Sequence, residues 1–301
     1  MSEGVLLLGG ATASGKTALA IALAGEFDAE IVGADSRQIY REMPIGTAAP
    51  SAAQQAAVRH HLVGVLDPHE RYSAARYAID AMHAIESIRA RGKRAIVVGG
   101  TGFYVRALAG GVALAPQFDA DLRERLALEA RTHPPEVLHE WLALRDPARA
   151  AALHPGDAYR IVRALEIVLA TREASDRGAE LPSLSSAGID FAYGVIDLPL
   201  AELDERIERR VDAMLACGFV EEAERIGAEA PAANAVGYPL ALAWTRGWST
   251  PTELRASLVR ATRRYARRQR SWFRGERSAQ PMMPSAVAAY AREKLGWGSK
   301  S

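Results

Sequence analysis

Apolar runs alternate with helical patterns in the first hundred residues. Residues 5–8 form a continuous apolar run that ends in glycines, as buried parallel strands do. The alanine-rich stretch 17–24 predicts a helix, so the chain begins as strand, loop and helix.

Two further strands are predicted at residues 30–34 and 94–98, with a helix over 74–91 between them. Strands that alternate with helices predict an α/β protein with a doubly wound parallel sheet flanked by helices. Ligands of such sheets bind at the carboxyl ends of the strands. Polar residues or glycines follow all three strands, so their loops are expected to meet at one site.

Residues 119–171 show only helical patterns, a polar stretch over 173–187 predicts a loop, and 191–196 predicts another strand. The predicted organisation is therefore a phosphate-loop catalytic core made of residues 1–118 and 187–301, with C-terminal helices. A mainly helical domain, residues 119–186, is inserted in it.

The first loop carries the pattern Gly-x4-Gly-Lys-Thr between a strand and a helix. Its glycines let backbone N–H groups surround an anion, the lysine adds a charge, and Thr17 can bind Mg²⁺ at the helix N-terminus. The pattern predicts binding of a phosphate or diphosphate by Gly10, Thr12, Ala13, Ser14, Gly15, Lys16 and Thr17.

A nucleotide triphosphatase would need an acidic residue at the end of a second strand. The strand at 94–98 ends instead in Gly-Gly-Thr-Gly, and Asp35 is the strand-end carboxylate of this half. Spacing alone leaves Asp35 open as the partner of a metal ligand, a structural cap or a general base. Thr101 could contact a ligand or cap the helix that follows it.

The composition is that of a globular protein, with 301 residues, 49% hydrophobic and 24% charged. No apolar run is long enough to span a bilayer, and the N-terminus does not resemble a signal peptide, so we expect a cytoplasmic protein with no membrane association. The single cysteine, Cys217, excludes an internal disulfide.

The net charge is only +1, yet residues 255–277 contain nine arginines and one acid, which gives a local charge of +8. An apolar helical stripe leaves these arginines on the remaining surface. The segment could contact an RNA or DNA backbone, or it could be a solvated surface helix. Because the segment contains almost no acidic residues, we favour contact with a nucleic acid. Residues such as Arg263, Arg267 and Arg270 would then bind the backbone. Arg160 and Arg163 share one helix face, either solvated or in contact with phosphate.

The order of motifs resembles that of the tRNA dimethylallyltransferase (tRNA isopentenyltransferase) family. The resemblance rests on GGATASGKT (9–17), ADSRQIYREMPIGTA (34–48), HHLVGVLDP (60–68), VVGGTGFYVRAL (97–108), AYRIVRALE (158–166), RRVDAMLACGFVEEA (209–223), AVGY (235–238) and ATRRYARRQRSWFR (261–274).

The resemblance implies transfer of a dimethylallyl group from dimethylallyl diphosphate to N6 of the adenosine at position 37, 3′ of the anticodon, in tRNAs that read codons beginning with U. It implies release of diphosphate, a requirement for Mg²⁺, the tRNA anticodon stem-loop as partner, and no obligate protein partner. Asp35 would act as general base, and Thr101 with Arg210 would stabilise the leaving group; Arg206 and Arg209 are alternatives to Arg210. The implied tRNA contacts are Asp35, Ser36, Arg37, Gln38, Thr101, Arg123, Tyr159, Arg160, Ile161, Val162 and Arg163.

Two other functions remain open at this point. A phosphate-loop small-molecule or nucleoside kinase would bind and hydrolyse ATP, but the missing acid after Val98 disfavours it. An RNA-binding ATPase module would use the arginine-rich segment but would have no use for Asp35.

Overall fold

The computed structural model describes residues 4–110, 120–171 and 181–298. The chain divides into two compact units, residues 1–110 with 182–301, and residues 111–181. Two stretches that are distant in sequence therefore build the first unit, and the segment between them builds the second.

The first unit contains a parallel sheet. Its strands are β1 (Val5–Gly10), β2 (Ala29–Gly33), β3 (His60–His61), β4 (Arg94–Val98), β5 (Phe191–Ile196) and β6 (Gln280–Met282). Within the described residues they form one six-stranded sheet in the order β3-β2-β4-β1-β5-β6, and each neighbouring pair is parallel. The predicted α/β fold with a doubly wound parallel sheet is confirmed, and the four strands predicted from apolar runs form its centre.

The helices in the described residues are α1 (Lys16–Phe27), α2 (Pro44–Thr47), α3 (Ala52–Ala57), α4 (Ala74–Ala90), α5 (Gly102–Ala109), α6 (Ala120–Thr132), α7 (Pro135–Arg145), α8 (Pro147–Ala151), α9 (Ala158–Thr171), α10 (Leu200–Ala216), α11 (Phe219–Ile226), α12 (Tyr238–Thr245), α13 (Pro251–Arg274) and α14 (Val287–Leu295).

Both faces of the sheet are covered because successive side chains of a strand point to opposite sides. Leu7 and Val97 pack on one face with residues of α4 and α5, whereas Leu6 and Ile96 pack on the other with α1 and α14. The sequences of β1, β2, β4 and β5 are therefore predominantly apolar on both faces.

Helices α10 to α13 share a third hydrophobic core, which includes Leu203, Ile207, Phe219, Tyr238 and Leu258. The C-terminal end of α13 reaches the sheet, where the Phe273 ring lies 2.7 Å from the position that a Cβ on Gly9 would take. Any larger residue at Gly9 would displace this ring, so the glycine allows α13 to lie against β1.

The second unit contains α6 to α9 around a core of its own, with Leu126, Leu138, Leu142, Ile161 and Leu165 buried. The chain is already part of the first unit at residue 182, five residues before the predicted boundary at 187. The reason is local, because the N–H of Leu184 donates to the carbonyl of Leu108 at 2.8 Å and Ser185 Oγ donates to that of Ala109 at 2.5 Å.

Candidate active site

The loop between β1 and α1 has the geometry of an anion-binding loop. Gly15 has a φ of 86°, in the left-handed region that favours glycine, and α1 begins at the next residue. The N–H groups of the first helical turn have no partner within a helix, so they are free to bind an anion. Ser14 is buried, and its Oγ has no hydrogen-bond partner among the residues described.

Lys16 is the first residue of α1 and interacts electrostatically with Asp35. Its Nζ donates a hydrogen bond to the carbonyl of Ala11 at 2.7 Å. Burial lowers the pKa of Lys16 to about 8, with the Asp35 carboxylate raising this pKa and the Arg210 guanidinium lowering it further. The amine therefore changes its charge close to neutral pH.

Asp35 follows β2 and uses its two carboxylate oxygens differently. Oδ1 accepts hydrogen bonds from the backbone N–H groups of Arg37 at 2.9 Å and Gln38 at 3.4 Å, which anchors a turn. In the described part of the chain Oδ2 accepts no hydrogen bond, and it lies 3.5 Å from the position of a Cβ on Gly100. One oxygen thus serves the local structure, and the other is available for a metal ion or a proton.

Thr101 precedes α5, but its side chain makes no cap hydrogen bond in the described structure. Its Oγ1 instead accepts a hydrogen bond from the N–H of Ser36 at 2.9 Å. The capping interpretation of Thr101 is therefore wrong. The hydroxyl fixes the loop after β2 to the loop after β4.

Two arginines of α10 lie at the phosphate loop: Arg206 Nη1 is 3.2 Å from the position that a Cβ on Gly15 would take, and the second is Arg210. Its Nη1 donates to Thr12 Oγ1 at 2.7 Å and its Nη2 to the carbonyl of Gly46 at 3.3 Å, while burial lowers its pKa. Arg206 pairs with Glu202 at 2.7 Å, and Arg209 is exposed. These contacts favour Arg210, but the choice of Arg210 over Arg206 as the diphosphate ligand stays a prediction.

A cavity of about 660 Å³ in the first unit joins these groups. The predicted site residues that line it are Thr12, Ala13, Gly15, Lys16, Thr17, Asp35, Ser36, Arg37, Gln38 and Arg210. Gly10, Ser14 and Arg270 instead line a void of about 10 Å³. Among the described lining residues, four bases (Lys16, Arg37, Arg210 and Arg268) face one carboxylate, Asp35, so the large cavity favours an anion.

The residues of α13 that form one wall of this cavity are not among the site residues predicted from the sequence. Thr262, Tyr265, Arg268 and Gln269 of α13 all line it. Their spacing of three, six and seven residues places them on one helix face, and that spacing is the signal in the sequence. Tyr265 instead reads as part of an apolar stripe, because a tyrosine fits a hydrophobic pattern as well as a polar wall.

The residues present fit a magnesium ion held chiefly by a substrate. Thr17 and Asp35 provide oxygen ligands at the cavity, the type that Mg²⁺ prefers. The described residues contain no group of three His, Cys, Asp or Glu side chains that could bind a metal alone. Mg²⁺ commonly uses few protein ligands together with phosphate oxygens and water, so this sparse set is compatible with it.

The predicted tRNA contacts of the second unit differ in exposure. Tyr159 and Arg160 are open to solvent, with Tyr159 82% exposed. Arg123 and Arg163 both bind the buried carboxylate of Glu166. Ile161 is fully buried in the core and Val162 packs against it, so their side chains serve this packing, and their contact with tRNA stays a prediction.

The arginine-rich segment has more acidic partners than its sequence suggests. Arg263 pairs with Asp204 at 3.3 Å and with Glu208 at 2.5 Å, and Arg267 with Asp204 at 3.4 Å. Arg270 binds Asp197 at 2.5 Å. The premise that these arginines lack acidic partners is wrong, because α10 and the end of β5 supply them; their contact with tRNA stays a prediction.

Comparison with known proteins identifies the family. A family model described as IPP transferase matches residues 38–276. A tRNA dimethylallyltransferase of Anaeromyxobacter dehalogenans is 46% identical over 292 residues, which cover 94% of this chain and 97% of the relative. The chain belongs to this family of prenyl-transferring enzymes.

Other members of the IPP transferase family agree with this assignment. A tRNA dimethylallyltransferase of Geobacter sulfurreducens is 42% identical over 90% of this chain and 88% of its own length. The solved structure of a full-length tRNA isopentenylpyrophosphate transferase from Bacillus halodurans is 32% identical, with a TM-score of 0.69 and coverage of 97% of this chain and 98% of that one. The family resemblance expected from the sequence motifs is confirmed.

A membrane-spanning helix is not found in the part of the chain that the structure describes, since none of its helices has the required length and apolarity.

Proposed function

We propose that this enzyme transfers a dimethylallyl group from dimethylallyl diphosphate to N6 of the adenosine at position 37, next to the anticodon, in tRNAs that read codons beginning with U. The observation that carries the proposal is the cavity in which the phosphate loop and Asp35 face each other. The curated relatives are named tRNA dimethylallyltransferase, which supports the donor and the acceptor class.

The diphosphate lies in the phosphate loop in this proposal. N–H groups of the first turn of α1, the charged Lys16 amine and the Arg210 guanidinium bind its oxygens. Arg210 is held by Thr12 and Gly46, so its position is set before the substrate arrives. Such preorganised donors stabilise the negative charge that develops on the leaving group.

The reaction forms one bond and breaks one. The N6 nitrogen attacks C1 of the dimethylallyl group, the bond between C1 and the diphosphate oxygen breaks, and diphosphate leaves with the electron pair. Asp35 takes the proton from N6 through Oδ2, since Oδ1 holds the turn. Thr101 holds the neighbouring Ser36 and so positions this carboxylate.

Thr17 would hold Mg²⁺ together with phosphate oxygens of the donor, and Asp35 lies in the same cavity. Mg²⁺ supplies neutralisation of the diphosphate charge when it is bound. The target adenosine would be unstacked from the anticodon loop, as single-stranded bases read in protein pockets are.

The test combines the protein with dimethylallyl diphosphate, Mg²⁺ and an unmodified tRNA transcript, followed by nucleoside analysis. We expect N6-dimethylallyladenosine at position 37. A transcript with guanosine at that position is the matched control, and transcripts that read other codons test the preference for U. Turnover of ATP without a prenylated nucleoside would refute the proposal and support a kinase or ATPase.

A further inference from the structure

Gln269 is a buried glutamine in the arginine-rich part of α13, with 7% of its surface exposed. Its Oε1 accepts a hydrogen bond from the N–H of Thr12 at 2.8 Å, and its Nε2 donates one to the carbonyl of Gly100 at 2.9 Å. An N–H group can only donate and a carbonyl can only accept, so the two partners fix the orientation of the amide. A carboxylate could satisfy Thr12 but not Gly100.

The two hydrogen bonds connect two different loops of the cavity. Thr12 belongs to the phosphate loop after β1, and Gly100 belongs to the turn after β4. Strands β1 and β4 are neighbours in the sheet, and the N–H of Gly99 donates to the carbonyl of Leu8 at 3.2 Å. Beyond this bond the loops leave the strands, and Gln269 joins them there.

Each end of this bridge adjoins a group that the proposed reaction uses. Thr12 also accepts the hydrogen bond from Arg210, through its hydroxyl at 2.7 Å. Gly100 precedes Thr101, whose Oγ1 holds the N–H of Ser36 at 2.9 Å, directly after Asp35. The bridge therefore runs from the leaving-group side of the cavity to the side of the general base.

We propose that Gln269 is a positioning residue, which sets the separation between the phosphate loop and the base; the inference rests on the proposed function. Gln269 bonds neither Lys16 nor Arg210 directly, so its loss leaves the charges that bind diphosphate in place. What it changes is the alignment of the N6 nucleophile with C1. A misplacement of about 1 Å costs on the order of 10²-fold in rate.

The experiment compares steady-state kinetics of the wild-type enzyme, Gln269→Ala and Gln269→Glu, with dimethylallyl diphosphate, Mg²⁺ and tRNA. We expect Gln269→Ala to lower kcat about 10²-fold and to leave the KM for the diphosphate within about threefold. Gln55→Ala is the matched control, since Gln55 also donates to a backbone carbonyl, that of Pro50, but does not line the cavity. Its kcat should equal that of the wild type.

The activity of Gln269→Glu as a function of pH is a second readout, which replacement of a purely structural residue would not change. A protonated carboxyl group can donate to Gly100 and accept from Thr12, whereas the carboxylate can only accept. The activity of Gln269→Glu relative to the wild type at the same pH should therefore rise as the pH falls. This ratio cancels every pH effect that the variant shares with the wild type.

The inference is overturned if Gln269→Ala retains the kcat of the wild type, or if the Gln269→Glu ratio does not change with pH. If Gln269→Ala does not unfold cooperatively, its loss of activity would reflect misfolding. The pH dependence of the activity of Gln269→Glu relative to the wild type then serves as the test. A wild-type enzyme that forms no prenylated nucleoside would refute the proposed function instead, and the inference with it.

Discussion

Replacement of Asp35 by asparagine separates its two roles. The asparagine Oδ1 can still accept from the N–H groups of Arg37 and Gln38, so the turn after β2 is retained. The nitrogen that replaces Oδ2 cannot take a proton from N6. We expect kcat to fall by at least about 10²-fold, the usual contribution of a positioned general base.

The same substitution also acts on Lys16, and the pH of the assay separates this effect. The Asp35 carboxylate raises the pKa of Lys16, which burial has lowered to about 8. Asp35→Asn therefore lowers this pKa further, and the amine loses its charge at a lower pH than in the wild type. The KM for dimethylallyl diphosphate should rise at alkaline pH, while at acidic pH, where Lys16 stays charged, the loss should lie in kcat alone.

The assay is steady-state prenylation of tRNA over a range of pH, which gives kcat and the KM for dimethylallyl diphosphate, combined with tRNA binding. Asp67→Asn is the control, because Asp67 Oδ1 accepts from the N–H of His69 at 2.9 Å in a similar turn but lies outside the cavity. It should leave both constants unchanged. If Asp35→Asn keeps the wild-type kcat at acidic pH, Asp35 is not the base.

Three further predictions concern charge. The KM of the wild type for dimethylallyl diphosphate should rise as the pH increases through about 8, because Lys16 loses its proton there, and Lys16→Met should remove this pH dependence. Glu222→Gln should lower the free energy of unfolding, measured by urea denaturation, by about 2 kcal/mol. The buried Glu222 carboxylate accepts hydrogen bonds from Ile45, Gly46 and Tyr238, and the amide would replace one of its acceptor oxygens by a donor. Glu221→Gln is the control, because Glu221 is exposed and its replacement should leave the stability unchanged. Arg264→Gln should reduce the salt dependence of tRNA binding more than Arg270→Gln does. The reason is that Arg264 is exposed with no ion pair in the described structure, whereas Arg270 is paired with Asp197. Equal slopes of binding affinity against salt concentration for the two variants would contradict this prediction.

The central sheet is predictable from the sequence because its strands are buried on both faces. Predominantly apolar runs mark β1, β2, β4 and β5, although Glu30 lies within β2 and Arg94 begins β4. The edge strands β3 and β6 have two and three residues, too short for any periodicity to appear. Residues 278–298 carry little pattern, yet they form β6 and α14 and include Trp297, which is 2% exposed.

The site is predictable where a loop carries its own chemistry. The phosphate loop and Asp35 follow strands closely. The carboxyl ends of parallel strands lie at the same edge of a sheet, so the sequence alone predicts that these groups meet there. Gln269 and Tyr265 come from a helix far along the chain, and their contact with this edge depends on the packing of α13 against β1. Their spacing places them on one helix face, but no local pattern reports which part of the fold that face contacts.

The arginine-rich helix shows why charge counted along a sequence misleads. Within residues 255–277 the arginines have almost no acids, but in space Asp204 and Glu208 of α10 neutralise the face that they meet. Arg268 and Gln269, on the opposite face of α13, line the cavity. The helix thus has one face that holds it in place through ion pairs and another that lines the site. We expect replacement of its arginines as a group to disturb folding and catalysis as well as the proposed tRNA binding, so their functions must be tested one residue at a time.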